Sequence, residues 1–206
     1  HGVRRMSMGA QSFDDRFLAL LDRAHDGARI AAAVAELRDA GIDNLNLDMI
    51  FALPGQSLAL WQADLDAALA LAPDHLSSYS LTFEPGTRFT RDRQQGRMQP
   101  NDEATDRAMF LYTRARLHTA GFVAYEVSNF AGRGGPCRHN DHYWLQGDYV
   151  GVGPGASSHR SGMRWTNLKP LEAWARALER GQPPAGEAET LSPAQRTAEA
   201  LWLGLR

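Results

Sequence analysis

The sequence predicts an α/β fold of parallel βα units. Strand and helix patterns alternate from residue 5 to residue 127, the helix patterns begin at side chains able to cap them, and three of them close at Gly41, Pro73 or Gly121. This alternation with short joints fits either a barrel or an open sheet.

Residues 5–10 alternate polar with apolar or small side chains, which reads as a strand. Asp14 and Asp15 are cap candidates for a short helix carrying Phe17, Leu18, Leu20 and Leu21. Asp26 caps a second helix with Ile30, Val34 and Leu37 on one face, and Gly41 stands where a left-handed residue ends it. Residues 44–53 form a nearly continuous apolar run, the pattern of a parallel strand covered on both faces, in which Asp48 is an anomaly. Ser57 opens a third helix with Leu60, Trp61, Leu65, Ala68 and Leu69, and Pro73 ends it before a strand over 76–83. Asn101 begins a fourth helix, with Ala104, Ala108, Leu111 and Ala115 as its inner face, followed by a strand over 122–127. Beyond Asn129 the regularity gives way to a glycine-rich link, a polar and aromatic stretch ending at Tyr149, and glycines between 151 and 156. Helices are expected over 170–180 and 192–206, separated by Pro183-Pro184.

A hydrophobic fraction of 43% over 206 residues supports a sizeable core. The net charge of -2 supplies no basic field for nucleic acid, and no apolar run approaches the roughly 18 residues that span a bilayer. One cysteine, Cys137, precludes an internal disulfide and a cysteine-only metal site, which suits a reducing cytoplasm. The first five residues lack the apolar stretch of a signal peptide. A strand pattern begins almost at once and a helical pattern is unfinished at Arg206, so the sequence reads as part of a longer polypeptide.

Ligands gather at the carboxyl ends of parallel strands, where Gln11, Asp48 and Thr82 are expected to lie. A carboxylate and an amide there suit ribose hydroxyls or an amino group; equally, both side chains can satisfy loop donors, and spacing does not separate the two. Arg23 is a carboxylate clamp or a surface helix residue. Residues 137–144, CRHNDHYW, are the densest chemical cluster: imidazoles ligate iron, and Tyr143 and Trp144 offer flat faces to a porphyrin, or the segment is a packed corner. His139 and His142 have no third ligand nearby in sequence, which weakens a zinc reading. The glycines at 151, 153 and 155 make a poor dinucleotide motif, because Pro154 removes a phosphate-facing amide. Ser157, Ser158 and His159 are too close in sequence for a catalytic triad.

Taken serially, residues 5–13 (RMSMGAQSF), 46–48 (NLD), 53–56 (LPGQ), 76–79 (LSSY), 84–87 (EPGT), 125–131 (YEVSNFA), 139–144 (HNDHYW) and 151–159 resemble the radical S-adenosylmethionine family of oxygen-independent coproporphyrinogen III oxidase and its HemW-like haem chaperones. The His-Asn-x-x-Tyr-Trp element places the resemblance on the HemW-like branch. It implies the later portion of an incomplete TIM-like (β/α) barrel over residues 1–131, a family-specific extension over 132–182, and the start of a small helical module over 183–206. It implies S-adenosylmethionine contacts at Gln11, Arg23 and Asp48, with Thr82 and Ser157 on looser alignment, and haem contacts at His139, Asn140, Tyr143 and Trp144. It further implies a [4Fe-4S] cluster, haem-accepting partner proteins and a cytoplasmic location, and leaves a homodimer open. Two departures stand out. Ala52 replaces the glycine usual before Leu-Pro, and the Cys-x3-Cys-x2-Cys element that carries the family's cluster does not occur, so its ligands are expected upstream of His1. The rival readings are the oxidase itself, acting in porphyrin biosynthesis, and a structural or interaction domain without ligands.

Overall fold

The computed structural model describes residues 2–206, which divide into a unit ending at Pro136 and a unit beginning at Cys137. Among them no helix is long and apolar enough to cross a membrane.

The first unit opens with β1 (Arg5–Gln11), α1 (Asp15–Leu20) and α2 (Gly27–Asp39). Asp14 and Asp26 cap the two helices, accepting from the Arg16 and Arg29 amides. β2 (Asn44–Phe51), α3 (Leu58–Ala70) and β3 (His75–Ser80) follow, with Ser57 capping α3. The unit ends with α4 (Arg88–Gln94), α5 (Glu103–Thr119), β4 (Val123–Ala124) and β5 (Asn129–Ala131). The five strands form one open sheet in the order β1-β2-β3-β5-β4; the first three are parallel, and β5 is antiparallel to both of its neighbours.

The two faces of this sheet differ. Leu45, Leu47, Met49 and Phe51 of β2 are buried with Leu76 of β3 against Ile30 and Val34 of α2 and Trp61, Leu65 and Ala68 of α3. Burial of each large side chain contributes roughly 1.5–3 kcal/mol. Asn46 and Asp48 point to the other face, as the twofold period of a strand requires. β2 is thus wholly apolar on one face and mainly polar on the other, where Ile50 is the exception, which corrects the expectation of two apolar faces and removes the anomaly of Asp48.

The inner face of α5 also differs from expectation. Met109, Thr113 and Leu117 are buried, whereas Leu111 is exposed. The alanine periodicity misled because alanine is tolerated on either face; the orientation is set by Thr113, which accepts the Trp61 Nε1 hydrogen at 2.8 Å. The cap is Asp102, and Asn101 instead binds the loop after β2, donating to the Gln56 carbonyl and accepting from the Gly55 amide. Helix α4, capped by Thr87, was not anticipated.

The second unit contains α6 (Arg138–Trp144), β6 (Ser157–Arg160), β7 (Met163–Asn167), α7 (Leu171–Glu179), β8 (Ala185–Thr190) and α8 (Pro193–Gly204). The strands make an antiparallel sheet in the order β6-β7-β8. Residues 183–206, expected to begin a helical module, therefore supply a strand to this sheet before α8 starts at the Ser192–Gln195 capping box. The segment 151–156 runs into a strand rather than a helix; Asn167 Nδ2 donates to the Gly151 and Gly153 carbonyls and fixes its course.

Candidate functional site

The polar face of the five-stranded sheet carries one continuous hydrogen-bond network. Register places Ser7, Asn46 and His75 side by side, with Gly9, Asp48 and Ser77 in the next row. Asn46 Nδ2 donates to Ser7 Oγ at 2.6 Å and to Asp48 Oδ1 at 2.8 Å, and Ser7 Oγ donates to Asp48 Oδ2 at 2.9 Å. His75 Nδ1 lies 2.7 Å from Asn46 Oδ1, and its Nε2 lies 2.9 Å from the Tyr125 hydroxyl. Ser77 Oγ reaches Asn129 Oδ1 at 2.9 Å, and Asn129 Nδ2 donates to Glu126 at 2.6 Å. His75 is 1% exposed; burial, aided by the nearby Arg5 charge, lowers its pKa to about 4.

At the carboxyl ends of the strands the loops are pinned from below by Asp64 of α3. Its carboxylate accepts from Ser12 Oγ at 2.6 Å, the Phe13 amide at 2.7 Å and Gln56 Nε2 at 3.3 Å. Burial raises the Asp64 pKa against these bonds. One side chain thus ties the loop after β1 to the loop after β2. Gln11 ends β1 in the left-handed region, φ 68°, and its amide lies back over Gly9, where a Cβ would collide with Gln11 Nε2.

In the second unit, α6 carries His139 and Tyr143 four residues apart on one face, with ring centroids 4.7 Å apart and edge-on. Tyr143 packs on Tyr149 at 4.5 Å, and Tyr149 lies 6.3 Å from His159. His142 Nε2 meets the Asp148 carbonyl at 2.7 Å and His159 Nδ1 the Gly147 carbonyl at 3.2 Å, so both have backbone partners. His139 is exposed and makes no hydrogen bond among the described residues. The Arg206 guanidinium lies 3.9 Å from the centre of the Trp144 ring and covers one of its faces. Among the described residues no group of three or more His, Cys, Asp or Glu side chains is arranged to hold a metal ion.

No protein-family model matches the chain. It is 37% identical to the haem chaperone HemW of Synechocystis, with all of this chain and 50% of that protein aligned. It is 38% identical to HemW of Mycobacterium tuberculosis, which it matches over its whole length and 53% of the relative. The chain is similar along its whole length to the HemW-like haem chaperones. It spans about half the length of the curated relatives it matches. Among solved structures, coproporphyrinogen III oxidase (HemN) of Escherichia coli, a radical SAM enzyme, superposes on 97% of this chain and 49% of its own with a TM-score of 0.80 at 20% identity. The fold is therefore that of a partial TIM-like barrel, here an open five-stranded sheet.

On this HemW-like frame, Gln11 and Asp48 lie on adjacent parallel strands, Gln11 at the end of β1 and Asp48 opposite Gly9. Arg23 is exposed in the loop between α1 and α2 rather than on a helix. Thr82 is exposed two residues beyond β3, because that strand ends at Ser80. Ser157 opens β6 in the second unit, its hydroxyl 3.1 Å from Thr166 Oγ1. His139, Asn140, Tyr143 and Trp144 share α6, a helix where the sequence suggested irregular chain. Sequence patterning alone did not single out Asp64, Asn46, His75 or Glu126. Only Asn46 had a visible signal, the alternation of polar and apolar residues over 44–48, NLNLD; the other three are recognised by partners remote in sequence.

Proposed function

We propose that the protein carrying this chain is a haem-binding chaperone of the radical SAM family that also binds S-adenosylmethionine. The observation that carries the haem assignment is His139: an exposed imidazole, edge-on to Tyr143 at 4.7 Å between ring centroids, on a helix whose other histidine is held by the backbone. In this reading His139 ligates or orients the haem, Asn140 lies beside it, and Tyr143 supplies ring contact. Trp144, half-buried and covered on one face by Arg206, contributes less than a free aromatic platform would. Haem-accepting proteins would be the partners and the cytoplasm the place of work.

S-adenosylmethionine is assigned to Gln11, Arg23 and Asp48, with Thr82 as a further contact. The residues of the sheet fit the group. Each Asp48 oxygen accepts one bond within the protein and keeps lone pairs for hydroxyl or ammonium donors, while Gly9 leaves the space into which the Gln11 amide folds. Cys137 alone cannot furnish a cysteine set, so the ligands of a [4Fe-4S] cluster come from outside this chain in our reading. When bound, such a cluster supplies an electron for reductive cleavage of the sulfonium.

The test is titration of haem into the full-length protein, followed at the Soret band. His139→Ala is expected to weaken binding at least tenfold, and an unchanged titration would remove the haem assignment. Sustained decarboxylation of coproporphyrinogen III by the same protein would replace the chaperone reading with the oxidase.

A further inference from the structure

We infer that Asn46 and His75 are positioning residues that orient the Asp48 carboxylate for its ligand; this rests on reading Asp48 as an S-adenosylmethionine contact. Both are buried, at 3% and 1% exposure, and neither reaches the rim where a ligand would sit. Their role runs through hydrogen bonds of fixed direction. Asn46 must turn Nδ2 toward Asp48, because the reverse orientation would set an amide oxygen against a carboxylate. Its Oδ1 then faces His75 Nδ1 and the Ser77 hydroxyl, and an amide oxygen only accepts. His75 therefore carries its proton on Nδ1, leaving Nε2 to accept from the Tyr125 hydroxyl. The sequence Tyr125 O–H to His75 Nε2, His75 Nδ1–H to Asn46 Oδ1, and Asn46 Nδ2–H to Asp48 Oδ1 is donor to acceptor throughout. Burial keeps His75 neutral down to about pH 4, so the arrangement persists near neutrality.

Among the described residues, the titratable and charged groups facing this network are Arg5 from β1, Asp48 from β2, His75 from β3, and Tyr125 and Glu126 from the turn between β4 and β5. None of these carboxylates adjoins Asp48 in the native chain. Asn46→Asp creates such a pair with almost no change of shape, and paired carboxylates share a proton at low pH and repel once both ionise.

The experiment measures S-adenosylmethionine binding to the full-length protein by calorimetry from pH 6 to pH 8.5, with thermal melting as a check on folding. The unaltered protein should bind evenly across this range. Asn46→Asp should approach native affinity at pH 6, where the shared proton replaces the lost amide donor, and bind about tenfold more weakly at pH 8.5. His75→Leu, which removes the donor to Asn46, should weaken binding several-fold, and His75→Asn, which restores a donor near the Nδ1 position, should recover most of that loss. A purely structural role would lower melting temperature without creating a pH profile. If Asp48→Asn binds as tightly as the native protein, the reading of Asp48 as a contact fails and the inference with it. If Asp48→Asn is weakened while Asn46→Asp stays flat with pH, the positioning inference alone is overturned.

Discussion

Replacing Asp64 with alanine tests whether the strand-end loops depend on one buried carboxylate. The side chain is 3% exposed and satisfies Ser12 Oγ, the Phe13 amide and Gln56 Nε2. Ser12 and Gln56 are themselves 0% and 2% exposed, so water cannot readily replace the lost acceptor. Each buried donor left unsatisfied costs about 1–3 kcal/mol. Gln56 keeps its own Oε1 bond to the Leu53 amide, and its 3.3 Å contact is the weakest, so two full losses and one partial one give about 4 kcal/mol. Release of a carboxylate from a site that raises its pKa offsets part of this, leaving about 3 kcal/mol. Urea denaturation measures the global loss, and hydrogen exchange at the Phe13 amide reports the local one. Asp64→Asn retains one oxygen and should lose about 1 kcal/mol. A raised carboxyl pKa also fixes a sign: the folded state binds the extra proton, so this group's contribution falls as pH rises above 3.8 through the raised value. The reasoning is refuted if Asp64→Ala costs less than about 1 kcal/mol and Phe13 keeps its exchange protection.

Gly9→Ala should displace the Gln11 amide, because its Cβ would meet the end of a flexible side chain rather than backbone; the expected result is at least tenfold weaker S-adenosylmethionine binding in the full-length protein with little change in melting. Thr113→Val leaves the Trp61 indole N–H unpaired at a fully buried site and should cost about 1–3 kcal/mol in urea denaturation. His75 has its folded pKa lowered from 6.5 to about 4, so its contribution is complete above pH 6.5 and is lost as pH falls toward 4, by about 3 kcal/mol in all; His75→Asn should remove that slope from a pH series of denaturation curves. Ala52 holds φ 62°, a conformation glycine adopts without strain, and Ala52→Gly should stabilise by about 1 kcal/mol.

Ala52 shows how a sequence departure becomes legible only with a dihedral angle. The sequence shows only that alanine replaces a usual glycine; the left-handed backbone explains why glycine suits that position. The βα units through β3 could be read because their caps act locally: Asp14, Asp26 and Ser57 bond amides two or three residues away. What escaped was decided by partners remote in sequence. Thr113 orients α5 through Trp61, 52 residues away, and β8 exists because β7 offers it an edge. At the site, Gln11 and Asp48 were visible as polar residues at strand ends, but Asp64 was not, since a carboxylate in the middle of a helix reads as a surface residue until its three donors are seen.

The sheet's two faces also explain why a small alteration at the rim can change binding without unfolding the unit. The apolar face, from Leu45 to Phe51 against α2 and α3, accounts for most of the burial, and its contacts do not pass through Asp48. The polar face gains little net stability from each hydrogen bond, because folding exchanges water partners for protein ones. It gains direction instead: every side-chain donor from Tyr125 to Ser7 is committed, and a buried amide such as Asn46 has no second low-cost orientation. Stability and orientation are thus carried by opposite sides of the same strands. Substitutions of the buried Asn46 and His75 should consequently lower ligand affinity as well as stability, whereas Leu47→Ala or Trp61→Ala should act chiefly on the denaturant midpoint.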